Sequence, residues 1–317
     1  MAEQNISRGM GWLPDYPDVR DYTEEHDELA PRLKNLGQRD SVRGMLAKIE
    51  HPVREGGAGP QKGATRSKDE PPAAADLREW CSDIEDQGSL GSCTAQAAAG
   101  IVEYFERKAF GKHIDCSRLF LYKATRNLLR MRGDTGAFLR ATMGAMTLFG
   151  VPPEEYWPYD IERFDEEPTS FLYAFAQSYQ SISYYRLDPP GTRKDTLLKK
   201  VKKHIASGLP SMFGFTVYSS IAQAARTGKI PFPASGERVA GGHAVAAVGY
   251  DDAVVIRSTA AGARETSGAL LIRNSWGSGW GDGGYGWLPY EYVLKGLAVD
   301  WWSLLKNEWV DTGAFGE

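Results

Sequence analysis

Asp86-Gln87-Gly88-Ser89-Leu90-Gly91-Ser92-Cys93-Thr94-Ala95 is a glycine-rich approach that runs straight into a helix whose first side chain is a thiol. Behind Cys93, the residues Ala95, Ala98, Ala99, Val102, Phe105 and Ala109 keep one helical face apolar, and Gly111 offers a stop. The spacing therefore places Cys93 at or near a helix N-terminus, where unpaired N–H groups and the positive end of the helix dipole stabilise an anion. Such a position can lower a cysteine pKa from about 8.5 to roughly 3.5–7.5, which makes a thiolate available at neutral pH. A cysteine is more often a small buried apolar residue. An exposed, flexible approach would serve a core position poorly, so the flanking glycines favour the chemical reading.

Two further stretches carry matching chemistry. In Gly241-Gly242-His243-Ala244-Val245-Ala246-Ala247-Val248-Gly249-Tyr250 a histidine is expected to open an apolar strand and face a cleft. In Arg273-Asn274-Ser275-Trp276-Gly277-Ser278-Gly279-Trp280-Gly281 an asparagine closes another strand, Ala269 to Arg273, beside a tryptophan. An asparagine carbonyl can accept the second N–H of a histidine and fix its ring, and an indole can shield that bond from water.

Taken together these stretches resemble the papain and cathepsin cysteine peptidases, over nearly everything from about Asp76 to Val299. Gln87 followed six residues later by Cys93, the pair His243-Ala244, and the run Asn274 to Gly281 stand in the order and spacing of that family's motifs. The resemblance implies an α+β, papain-like two-lobe fold, with a helical left lobe, a β-barrel-like right lobe and an active-site cleft between them. It implies a Cys93–His243 thiolate–imidazolium pair that passes through an acyl-enzyme, with Asn274 orienting the imidazole and Trp276 covering that contact. Gln87 and the Cys93 N–H would hold the oxyanion. Counting back from Trp157-Pro158-Tyr159 places Thr135-Gly136-Ala137-Phe138-Leu139 along the cleft. Gly136 and Ala137 would then pair with substrate backbone, Phe138 and Leu139 would help form an apolar specificity pocket, and Ala244 and Trp276 would flank the bound chain.

Departures from the family pattern are equally specific. Leu90 and Thr94 stand where papain has a disulfide cysteine and a tryptophan, so one family disulfide is missing, in keeping with a reducing compartment. Cys81 and Cys116 read as unpaired thiols, and His26, His51, His113 and His204 lie in polar or linker text with no expected role. The family's long helical propeptide signature is absent. The arm Trp12-Leu13-Pro14-Asp15-Tyr16-Pro17-Asp18-Val19-Arg20-Asp21 alternates prolines with turn formers and is expected to be extended. With the tail Gly296 to Trp302 it resembles the bacterial branch of these peptidases. Val42, Met45, Leu46 and Ile49, behind the caps Asp40 and Ser41, predict a short amphipathic helix that must dock its apolar face.

The expected organisation is an arm with a prosegment-like helix (1–51), a flexible linker (52–75) and a peptidase domain (76–317). Within that domain a helical lobe is expected over about 90–185 and a strand-rich lobe over about 186–305 plus 76–89, with a second helix over Phe138 to Phe149. Residues 1 to about 70 are expected either to fold over the cleft as an intramolecular inhibitor or to brace the outer surface.

The 37 basic and 41 acidic residues leave a net charge of −4 without a single-sign block, so no nucleic-acid footprint is present and a polypeptide is the expected partner. The polar N-terminus and the lack of a long apolar run give no signal peptide and no membrane span, hence a cytoplasmic site by default, with non-classical secretion open. Neither a cofactor nor a metal is expected. Two other functions remain open: an acyltransferase or transpeptidase using the same thioester chemistry, and a papain-fold module that binds peptides without cleaving them.

Overall fold

In the computed structural model residues 8–50, 70–180, 182–259 and 264–316 are described. The chain begins with an extended arm over residues 8–30, followed by two short helices, α1 (Pro31–Asn35) and α2 (Val42–Glu50). In α2 the Ser41 hydroxyl caps the helix by accepting the Gly44 N–H at 3.1 Å. Val42, Met45 and Ile49 are buried against α9 (Asn307–Val310) and β2 (Ser183–Arg186). The expected amphipathic helix thus docks on the C-terminal tail and not over a cleft.

Most of the expected linker lies outside the described residues. Its end does not behave as linker: Ala74 and Ala75 belong to β1 (Ala74–Asp76), paired antiparallel with β4 (Val239–Ile256).

The left lobe is built on α3 (Cys93–Phe110), α4 (Arg118–Leu128), α5 (Leu139–Phe149) and α6 (Ser170–Ala176). Cys93 to Phe105 are all buried, so α3 is surrounded and not merely faced by protein. Small residues make this possible: a Cβ on Gly100 would run into the Arg273 guanidinium. Gly111 ends the helix in the left-handed conformation at φ 71°, as the sequence requires. The second helix starts one residue later than expected, because Phe138 adopts extended backbone as its N-cap.

The right lobe is an antiparallel sheet in the order β2-β7-β3-β4-β5-β6, with β1 alongside β4. Besides β1, β2 and β4 it contains β3 (Ser211–Tyr218), β5 (Thr266–Arg273), β6 (Tyr285–Pro289) and β7 (Ala298–Leu305), backed by α7 (Lys194–Ala206) and α8 (Tyr290–Leu294). His243 does not open its strand. β4 starts four residues earlier, at Val239, and Gly241 and Gly242 pair with Val217 and Thr216 of β3. These glycines are needed not to start a strand but to let other backbone approach it.

Candidate active site

Cys93 is the first residue of α3 and is wholly buried. Its sulfur accepts the Ala244 N–H at 3.4 Å, so the residue that follows His243 in β4 touches the thiol across the lobe boundary. His243 is also wholly buried, and its Nε2 donates to Asn274 Oδ1 at 2.7 Å. That oxygen also accepts the Ser275 N–H at 2.8 Å, which fixes the asparagine amide. Trp276 stacks on the imidazole with ring centroids 4.6 Å apart, and Phe215 meets it edge-on at 5.9 Å. The other ring nitrogen, Nδ1, is buried without a hydrogen-bond partner.

Gln87 is held from both sides. Its Oε1 accepts from Ser275 Oγ at 2.6 Å, and its backbone N–H donates to the Ser275 carbonyl at 2.9 Å. Its Nε2 therefore has a fixed aim, and it donates to the carbonyls of Leu90 (2.8 Å) and of Gly9 in the arm (3.1 Å).

The arm lies in the cleft. Gly9 N–H donates to Gly88 O, Trp12 N–H to Gly242 O and Leu13 N–H to Ala137 O, while Ala137 N–H donates back to Gly11 O at 2.7 Å. Trp12 and Ala137 thus form a parallel bridge. Gly136 and Ala137, the expected backbone-pairing residues, face a peptide of the chain itself. The fit is tight: a Cβ on Gly11 would overlap the Gly91 carbonyl, and one on Gly9 the Leu90 carbonyl. Further along, Arg140 binds both Asp15 and Asp21, and Arg186 reaches Asp21 at 3.4 Å. Of the other expected cleft residues, Leu139 is wholly buried at the start of α5 and Phe138 is half-buried.

The electrostatics follow from this burial. Desolvation pushes the Cys93 thiol up to about 11, against N–H donors from Ala244 and Gly11 that favour the thiolate. It pushes His243 down to about 4, with the Asn274 bond opposing. The lowered thiol pKa expected from the helix N-terminus is therefore not what the covered site has: with the arm in place, both partners are held neutral.

Three features escaped the sequence. Asp134 accepts the Gly91 N–H (3.0 and 3.1 Å) and the Tyr122 hydroxyl (2.6 Å), and Tyr122 in turn accepts the Gly136 N–H at 3.0 Å. This bracket joins the loop before Cys93 to the Gly136–Ala137 segment that faces the arm, close to Leu90, where the expected disulfide sulfur is missing. The second feature is the seating of Trp12, 6% exposed, with its Nε1 donating to Asp300 Oδ2 at 3.1 Å. The third is the role of Gly214, where a Cβ would collide with that indole. His51 lies outside the described residues; of the other expected bystanders, Cys81 and Cys116 are free and buried, and His204, expected in polar text, is buried against Glu24.

Residues 71–294 match the model of the papain family cysteine protease. The chain is 32% identical over 310 residues, 96% of its length and 89% of the relative's, to an uncharacterized peptidase C1-like protein of Acanthamoeba polyphaga mimivirus. Among solved structures it is similar to xylellain, a cysteine protease from Xylella fastidiosa, with a TM-score of 0.68 and 28% identity over 96% of this chain and 99% of that one. The bromelain protease from Ananas comosus shares the fold, with a TM-score of 0.54 at 19% identity over 74% of this chain and all of that one. With the family's motifs gathered around one thiol, and a family match across most of its length, this chain belongs to the papain family of cysteine proteases.

Proposed function

We propose that the protein hydrolyses peptide bonds through a Cys93–His243 pair, and that residues 8–13 hold it inactive until they leave the cleft. Once water reaches the site, the helix dipole and the Ala244 N–H favour a thiolate, and the imidazole takes the thiol proton. The sulfur adds to the substrate carbonyl carbon, and the oxyanion sits between the Gln87 amide and the Cys93 N–H. The C–N bond then breaks as His243 gives its proton to the leaving amine. Water, deprotonated by the same imidazole, cleaves the thioester and regenerates the thiol. Asn274 keeps the ring in register through these steps without adding a second charge.

The observation that carries this reading is the Gly9 carbonyl bound to the Gln87 side chain beside the thiol. A peptide carbonyl already occupies the place where a reacting one would be polarised. The arm resists attack because its register is unproductive: besides the Ala244 N–H, the sulfur meets the N–H of Gly11, two residues on from the carbonyl that Gln87 polarises.

The test is labelling with an epoxysuccinyl inhibitor and hydrolysis of a peptide library, by the wild-type chain and by a Gly11→Val variant that displaces the arm. The expected result is one adduct, on Cys93 and not on Cys81 or Cys116, and hydrolysis that Cys93→Ala reduces by about 10⁴-fold or more. No hydrolysis by either chain, or products formed mainly by transfer to an added amine, would overturn the assignment.

A further inference from the structure

The arm places one side chain, Trp12, in a pocket of the cleft, and the walls of that pocket are unusually particular. Gly214 on β3 and Gly242 on β4 lie against the indole, and a Cβ on either would run into its ring atoms, so the pocket is a slot shaped for a flat group. At its floor sits Asp300, wholly buried and held at φ 62°, a conformation that few residues other than glycine adopt and that aspartate tolerates. Its two carboxylate oxygens are differently committed. Oδ1 accepts the Trp302 Nε1 at 2.7 Å and meets the Arg186 guanidinium at 3.2 Å. Oδ2 accepts from the Trp12 Nε1 at 3.1 Å.

We propose that Asp300 is a specificity-determining residue, and that the slot selects substrates carrying a flat side chain with an N–H donor, tryptophan above all, at the residue that enters it. This rests on the cleft being a peptidase site, and names the substrate class of that site. A phenyl ring in the slot would leave Oδ2 buried without a partner, a penalty that discriminates far better than a change in apolar area. A lysine or arginine is disfavoured, because Arg186 already faces Asp300 and would repel a second cation. Arg186 is itself fixed by Asp188 at 2.9 Å, and Asp188 accepts the N–H groups of Asp300 (2.9 Å) and Trp301 (3.0 Å). The floor is therefore a built acceptor and not a loose surface charge.

The experiment uses the full chain with Gly11→Val and peptides in which each residue on the acyl side is varied in turn among tryptophan, 3-benzothienylalanine, phenylalanine and arginine. Benzothienylalanine keeps the shape of tryptophan and lacks its N–H. At one position kcat/KM for tryptophan is expected to exceed that for the other three by roughly tenfold or more, and Asp300→Asn, or Asp300→Gly should the former misfold, is expected to erase the difference. Equal rates for tryptophan and its isostere, or a preference for arginine, would overturn the proposal. Should no peptide be cleaved, the peptidase reading fails and the pocket is judged separately. Trp12→Phe in the wild-type chain is then expected to speed alkylation of Cys93 roughly tenfold, and to do so no longer when Asp300→Asn is present. An unchanged rate overturns the proposal on its own.

Discussion

The two halves of the N-terminal region are held by opposite means. Residues 31–50 carry the periodic apolar pattern, form helices, and bury Val42, Met45 and Ile49 against the C-terminal tail. Residues 8–13 carry no periodicity at all, yet they reach the thiol, the Gln87 amide and the Asp300 slot through backbone groups, two glycines and one indole. Hydrophobic patterning identifies what braces a fold. What occupies a cleft is identified by close backbone approach, which leaves glycine in place of pattern.

The sharpest way to break this contrast is to damage the brace alone. Met45 is fully buried, and Met45→Ala is expected to cost about 2–5 kcal/mol of stability in denaturant unfolding. Below the transition, the alkylation rate of Cys93 should stay at its wild-type value. A faster rate there would mean that the helices hold the arm in the cleft and that the two halves are one device.

A smaller effect separates them by pH. In a Cys93→Ala chain no thiolate holds the imidazolium: with the arm in place burial still keeps His243 well below its ordinary range, at about 4 in the wild-type site, whereas the uncovered histidine titrates near 6.5. Below about 6.5 the uncovered form takes up a proton that the covered form refuses, so acid shifts the balance towards uncovering. The stabilisation of closure is full above the uncovered value and is lost progressively as the pH falls towards 4. Hydrogen exchange at the Trp12 and Leu13 amides of Cys93→Ala, corrected for its intrinsic pH dependence, should show protection falling between pH 7 and pH 5, while amides within α2 keep theirs. Protection that stays level or rises in acid would contradict the account.

Much of the site was legible because its parts are local. The glycine approach to Cys93, the Asn274-Ser275-Trp276 run and the Gly111 stop each announce themselves within a few residues. The α+β two-lobe architecture followed from the same motifs. What was hidden depends on contacts distant in sequence. Asp134 reads as one acid in a loop until Gly91 and Tyr122 are folded onto it. Asp300 reads as the polar interruption of an apolar strand until Trp12 and Arg186 arrive from elsewhere. His243 lies inside its strand and not at its opening for a related reason: Gly241 and Gly242 belong to the strand and give room to Met10 and Trp12 of the arm. The expected thiolate was likewise a local inference, drawn from a helix end, and burial by a distant segment reverses it.

The central claim is that the arm, seated by close glycine contacts, covers a competent thiol. Its most direct test is the second-order rate of Cys93 alkylation by iodoacetamide, in the wild-type chain and in Gly11→Val, where the new side chain has no room against the Gly91 carbonyl. The account predicts that the variant reacts at least about tenfold faster, because a group opened by as little as about 1.4 kcal/mol is exposed ten times more often. Equal rates in the two proteins, with the variant folded, would contradict it.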